Sequence, residues 1–234
     1  MSREKVYLNF PISLVPPIYE DEDVYQALNN VIIYGLMLYV KKHKVSVEEA
    51  GHFLGITVMQ PLESFRELYD RVSKTTTVMT SIDKKKAFYL RDARKSYKDN
   101  RDEIIALCGE LAVRSIVGVK EYTKCYRGMV LSRMAGFAKV IDESSYPEAI
   151  KKLSGDGGKR QWRKLIYSLK YAGCSVYTPK GSHGFYVSFR LSPIELAEKV
   201  ERKERAKGIH SEYDLNNEQL QKIARKKLSS VPLK

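Results

Sequence analysis

A chain of 234 residues with 43% hydrophobic side chains and sixteen tyrosines has the material for one sizeable folded domain or two smaller ones, which excludes a disordered chain. Its formal net charge of +13, from 41 basic and 28 acidic side chains, favours a polyanionic partner. The excess is segregated: residues 1–80 carry eight basic and ten acidic side chains, and residues 81–234 carry thirty-three and eighteen. A one-sided distribution points to a binding surface more strongly than a diffuse excess does.

Three cysteines, Cys108, Cys125 and Cys174, are widely spaced and odd in number, and no C-x-x-C occurs. None of His43, His52, His183 and His210 pairs with another at metal-ligand spacing, so neither zinc nor any other cofactor is expected. This cysteine usage implies a reducing, cytoplasmic compartment. The longest apolar run, residues 31–40, is about half of what a bilayer span needs, so no membrane association is expected. Residues 1–30 lack the charged-then-apolar layout of a signal peptide.

In chain order, residues 5–10 alternate with Val6, Leu8 and Phe10 on one side, which predicts a short strand ended by Pro11. Pro16 and Pro17 read as a stiff connection, and Asp21, Glu22 and Asp23 suit a helix N-terminus. The helix predicted over 22–42 is apolar nearly all round, the mark of a buried central helix. Ser46 with Glu49 forms a capping box for a helix that stops at Gly55, and another helix is expected over 61–72. Glu49-Ala50 and Leu54-Gly55-Ile56 resemble the first helix and turn of helix-turn-helix proteins. The second helix, however, carries three acids and two bases over 62–71, a balance that favours plain helical packing over phosphate contact.

Residues 75–101 are polar and basic without a clear period and read as a solvated linker, the alternatives being an exposed loop or a phosphate-contacting arm. Helices follow over 102–117, with Gly118 as its stop, and over about 124–135, with Tyr126, Met129, Val130 and Met134 at helical spacing. Ser145 is placed to cap a short helix with Pro147 in its first turn. The glycine-rich turn 154–158 then leads into the most informative stretch.

From Gly157 to Ile194 there are seven Lys or Arg residues and no carboxylate. Residues 159–172 predict a helix with Trp162, Leu165, Ile166, Leu169 and Ala172 on one stripe and Lys159, Arg160, Arg163, Lys164, Tyr167 and Lys170 opposite. Gly173 supplies its stop. A β-hairpin is expected over 174–191, with a turn at 179–184. In its return strand Phe185, Val187, Phe189 and Leu191 are expected inward and Tyr186, Ser188 and Arg190 outward. Ser192, Pro193 and Glu195 open a helix whose Glu195–Lys199, Glu198–Arg202 and Glu201–Arg205 spacings would let it stand partly free of a core. A last amphipathic segment, 217–228, offers Leu220, Ile223, Ala224 and Leu228.

Helix, short helix, basic helix and hairpin is the order of winged-helix DNA-binding domains, and residues 102–192 resemble that family. The expected fold class is mainly α with a small β-hairpin (α+β): a helical domain over 1–101 with its basic linker at about 74–101, a winged-helix domain over 102–192, and charged helices over 193–234. The resemblance implies that the 159–172 helix enters a groove of double-stranded DNA through Arg160, Arg163, Lys164 and Tyr167. It implies phosphate or minor-groove contacts for Lys170, Lys180 and His183, with Lys159 and Arg190 as further DNA contacts. The turn 154–158 departs from the family by its length and glycine content. Tyr7-Leu8-Asn9-Phe10-Pro11-Ile12, Leu131-Ser132-Arg133-Met134-Ala135-Gly136 and Gly184-Phe185-Tyr186-Val187-Ser188 also resemble an uncharacterised group of bacterial and phage proteins, a likeness that implies no activity.

Enzymatic readings are poorer. Residues 154–159 resemble a phosphate-binding loop, but Leu153 stands where its first glycine belongs and Arg160 where Ser or Thr would hold magnesium. Cys174 lies in an expected buried strand, which leaves a Cys174–His183 nucleophile pair inert. Asp99, Asp102 and Glu103 read as an acidic helix start rather than a metal-binding pair. The sequence therefore predicts a non-enzymatic double-stranded DNA-binding protein, a homodimer through 22–42 or the C-terminal helices, acting in transcription regulation or replication initiation of a bacterial or phage element. The alternative is an interaction or inhibitor protein whose basic face docks on an acidic protein or an RNA-containing complex.

Overall fold

The computed structural model describes residues 5–20, 24–57, 62–93, 101–154, 158–180 and 182–206, and over these the chain is mainly helical with two small antiparallel sheets. The first elements are β1 (Tyr7–Pro11), a 3-10 turn (Ile12–Leu14), α1 (Pro16–Glu20), α2 (Val24–His43), α3 (Val47–Leu54) and α4 (Leu62–Ser73). Then come β2 (Met79–Asp83), α5 (Lys84–Asp92), α6 (Arg101–Val117), β3 (Thr123–Cys125) and α7 (Arg127–Met134). A second 3-10 turn (Glu143–Ser145), α8 (Glu148–Ser154), α9 (Lys159–Tyr171), β4 (Ser175–Tyr177), β5 (Phe185–Ser188) and α10 (Pro193–Ala206) complete the order. Two compact units divide the chain, one within Met1–Gly118 and Gly128–Leu165 and the other within Val119–Arg127 and Ile166–Lys234. The expected 102–192 module therefore contributes to both, and the division falls inside α9.

In the first unit α2 is the buried axis anticipated from its composition: Val24, Leu28, Val31, Ile32 and Leu36 are all at or near zero exposure. Strand β1 and helices α1, α3, α4 and α5 pack around it. Most of its apolar side chains are thus taken up within its own unit. Ser46 and Glu49 form the capping box, and Gly55 takes the left-handed conformation that ends α3. Phe65, Leu68 and Val72 turn α4 inward, while Glu63, Arg66, Glu67 and Asp70 face out.

Pro16 and Pro17 are not a stiff connection between elements; they start α1, where a proline lacks no hydrogen bond that a first turn would make. Much of the stretch read as a basic linker is integral to the unit: β2 pairs antiparallel with β1, from Tyr7↔Asp83 to Pro11↔Met79, with Thr80 and Ile82 buried. Asp83 caps α5, which buries Ala87 and Leu90; residues 94–100 lie outside the described part. Finally, Ser145 lies in a 3-10 turn capped by Asp142 rather than capping α8.

Helix α6 brings a carboxylate into this interior. Glu110, 7% exposed, accepts from Lys86 Nζ at 2.5 Å and Arg114 Nε at 2.9 Å, joining α5 to α6. Gly109, beside it, lets α9 approach: a Cβ there would stand 2.6 Å from Leu165 Cδ1 and 2.9 Å from its Cγ. The basic helix is seated on a glycine.

In the second unit the sheet order is β3-β5-β4, all antiparallel, with Lys124 opposite Tyr186 and Val176 opposite Val187. The start of the helix expected from residue 124 is instead β3, and α7 begins only at Arg127. The return strand also departs from its alternation: Phe185, Tyr186, Val187 and Ser188 are all buried. A central strand has neighbours on both edges, and here α10 covers one face, with Leu196 and Val200 packed against Tyr186. Ser188 Oγ donates to the Glu121 carbonyl at 2.6 Å, which satisfies the buried hydroxyl.

Helix α10 does start with Ser192 and Glu195 as a reciprocal cap. It does not stand free. Glu201 accepts the Tyr177 hydroxyl and Glu204 accepts the Tyr186 hydroxyl at 2.5 Å, while Lys199 pairs with Glu121 at 2.5 Å. Lys199, Glu201 and Glu204 are thus drawn to the sheet and the 119–127 segment, and residues 207–234 lie outside the described part.

Replacing Glu110 with alanine leaves the largely buried Arg114 without that carboxylate and should cost near the low end of the roughly 3–5 kcal/mol for broken buried pairs, read by urea unfolding. Gly109→Ala, which in an open helix would gain about 1 kcal/mol, should instead destabilise through a clash worth about 1–3 kcal/mol. Placed in a Leu165→Ala background, the same change should turn neutral or stabilising, and simple additivity of the two would show that no clash exists. Burial, then the bond to glutamate, raises both the Tyr177 and Tyr186 phenols above their ordinary value of 10.0. Their contribution is complete below pH 10 and is lost as the unfolded chain ionises first above it, so thermal stability should fall from about pH 10 upward, with a shallower fall in Tyr186→Phe.

Candidate nucleic-acid interface

The site begins with the amphipathicity of α9. Leu165 and Leu169 are buried, Trp162, Ile166 and Ala172 are half-buried, and Lys159, Arg160, Arg163, Lys164, Tyr167 and Lys170 are exposed, so the expected stripe and the expected outer face both form. The first turns, carrying Lys159, Arg160, Arg163 and Lys164, belong to the first unit. The last turn, carrying Tyr167 and Lys170, belongs to the second. Gly173 ends the helix in the left-handed conformation, and Cys174 N–H closes on the Leu169 carbonyl at 2.9 Å.

Lys164 Nζ pairs with Asp102, from the first turn of α6, at 2.7 Å with both groups exposed. Among the described residues no carboxylate forms an ion pair with Arg160, Arg163 or Lys170. An exposed pair is worth little on its own, so Asp102 moderates the field without closing the face.

In the second unit Lys180 and His183 are exposed in the turn between β4 and β5, and Arg190 is exposed just past β5, its N–H donating to Ser188 Oγ at 3.0 Å. Gly184 fixes the base of this turn: at φ +108 a Cβ would lie 2.5 Å from the Cys125 carbonyl oxygen, so only glycine lets β3 and β5 meet there. Tyr177 and Tyr186, the aromatic residues of the hairpin, are occupied in holding α10. Lys124 lies 5.8 Å from the Tyr186 ring centroid and Lys203 5.5 Å from that of Tyr122, adding cations to the same unit.

Two residues of the surface escape a reading by composition. Tyr171 is 72% exposed and its hydroxyl hydrogen-bonds that of Tyr167 at 2.7 Å. Its i+4 spacing from Tyr167 was the signal. Asp102 is sixty-two positions from Lys164, and no local pattern announces their contact.

The groups considered for catalysis are placed otherwise. Cys174 is 2% exposed with its Sγ turned to the Ser175 carbonyl, and His183 is exposed. Burial pushes the Cys108 thiol well up and the Cys125 thiol up to about 12, which leaves both protonated at neutral pH. Asp102 is engaged with Lys164, while Asp99 and residues 155–157 of the glycine-rich turn lie outside the described part. Among the described residues no group of three His, Cys, Asp or Glu is arranged to hold a metal ion, and no helix is long and apolar enough to cross a membrane. No family model, no curated protein and no solved structure matches the chain.

Proposed function

We propose that the chain is a non-enzymatic double-stranded DNA-binding protein of winged-helix type, in which α9 enters the major groove and the β4–β5 turn acts as the wing. The observation that carries this reading is the outer face of α9: exposed Arg160, Arg163 and Lys170 without a pairing carboxylate among the described residues, on a helix anchored by Leu165 and Leu169. A helix of this diameter fits the major groove, and arginine is the side chain best matched to guanine edges and to phosphates. Support comes also from the sheet. An isolated two-stranded hairpin is marginal, and β3 gives this one a third strand, so Lys180 and His183 project from a fixed support. The role that follows is control of transcription or initiation of replication on a bacterial or phage element.

Gel shifts of random duplex, single strand and RNA across a salt series test this. Duplex should be preferred, with log affinity falling against log salt at about 0.9 per phosphate neutralised. Arg160→Ala/Arg163→Ala/Lys164→Ala should flatten that slope by about 2.7 if each contacts one phosphate. Lys180→Ala/Arg190→Ala should weaken duplex binding as well. Equal affinity of wild type and triple variant for duplex would remove α9 from the interface. Preference for RNA, or retention only by an acidic protein, would move the reading to a docking or inhibitor protein that uses the same cations without the wing.

A further inference from the structure

Resting on that DNA-binding reading, the geometry of α9 points to a second kind of contact: we infer that Tyr167 and Tyr171 form a neutral, hydroxyl-based clamp for one phosphodiester group of the duplex backbone. At about 100° per residue, Arg160, Tyr167 and Tyr171 fall within about 20° of one line along the middle of the outer face. Arg163 and Lys170 flank that line on one side and Lys164 on the other. The tyrosines thus occupy the centre of the cationic strip, not its rim.

The two residues are 41% and 72% exposed, so they are not there to fill a core. They stand edge to face, centroids 4.9 Å apart at 70°, and their hydroxyls bond at 2.7 Å. Each ring therefore fixes the other, and the pair is ordered before any partner arrives, which lowers the entropic cost of contact. Whichever hydroxyl accepts the mutual bond still has its own hydrogen to donate. Accepting that bond polarises it, and a polarised O–H is a stronger donor to an anionic oxygen. The bond to Tyr171 raises the Tyr167 phenol above its ordinary range, so it enters contact uncharged. A phosphate oxygen is the acceptor this arrangement fits, because the flanking Arg163, Lys164 and Lys170 already draw the backbone to the strip.

A neutral donor and a cation leave different marks on binding. Cations release counterions, and each one lost lowers the salt slope by about 0.9; a hydroxyl releases none. Tyr171→Phe and Tyr167→Phe keep both rings and delete one hydroxyl each. Each should weaken duplex binding about 3- to 10-fold at fixed salt with an unchanged slope, and by the same factor on two duplexes of unrelated sequence. Arg163→Ala, measured beside them, should lose slope. Wild-type affinity in both phenylalanine variants overturns the inference and leaves α9 as a binding helix, and so does a loss seen on only one duplex, which would mark a base-edge contact. Failure of the wild-type protein to bind duplex overturns the functional reading and this inference together.

Discussion

The contact of Leu165 with Gly109 decides where the positive face of α9 can point. An amphipathic helix is oriented by what its apolar side can reach, and here the side chain of Leu165 occupies the space a Cβ on α6 would fill. With Leu165 and Leu169 inward, helical geometry leaves no choice for Arg160, Arg163 and Tyr167; they must face out. The orientation of the basic face is therefore a consequence of packing. Its charges are arranged by residues that carry none.

In the second unit, the same economy governs α10. A helix laced with glutamate and lysine reads as a solvated rod stabilised by its own i,i+4 pairs, each worth a few tenths of a kcal/mol. Sheet and helix instead exchange stronger bonds, phenol to carboxylate, with Tyr177 and Tyr186 supplying the donors. Burial of Leu196 and Val200 brings those partners within reach, and Glu201 and Glu204 are themselves buried.

What was legible in the sequence was whatever is decided locally. The capping boxes at Ser46 and Ser192, the all-apolar axis of α2 and the two faces of α9 each follow from residues within a few turns of one another. What was not legible depends on distant partners. Strand β2 is a short polar stretch in which only Thr80 and Ile82 turn inward, and it becomes a strand because Tyr7–Pro11 offers its edge. Strand β3 is three residues long and exists through its pairing with Phe185–Val187. Tyr186 and Ser188 look outward-facing to any period-two pattern, since nothing near them announces that α10 and Glu121 cover that side. Of the candidate surface, the cations were legible and Tyr171 nearly so, whereas Asp102 was not.

The lysine run 84–86 shows how far formal charge can mislead. Lys84 Nζ donates to the Leu54 carbonyl at 2.7 Å and so closes the C-terminal end of α3, and Lys86 neutralises Glu110 inside the first unit. Only Lys85 of the three is exposed. Two cations that inflate the electrostatic footprint on paper are fasteners of the fold. A reagent that acetylates lysines indiscriminately would therefore loosen the first unit while it discharged the surface, and lost binding after such treatment would report on architecture as much as on contact.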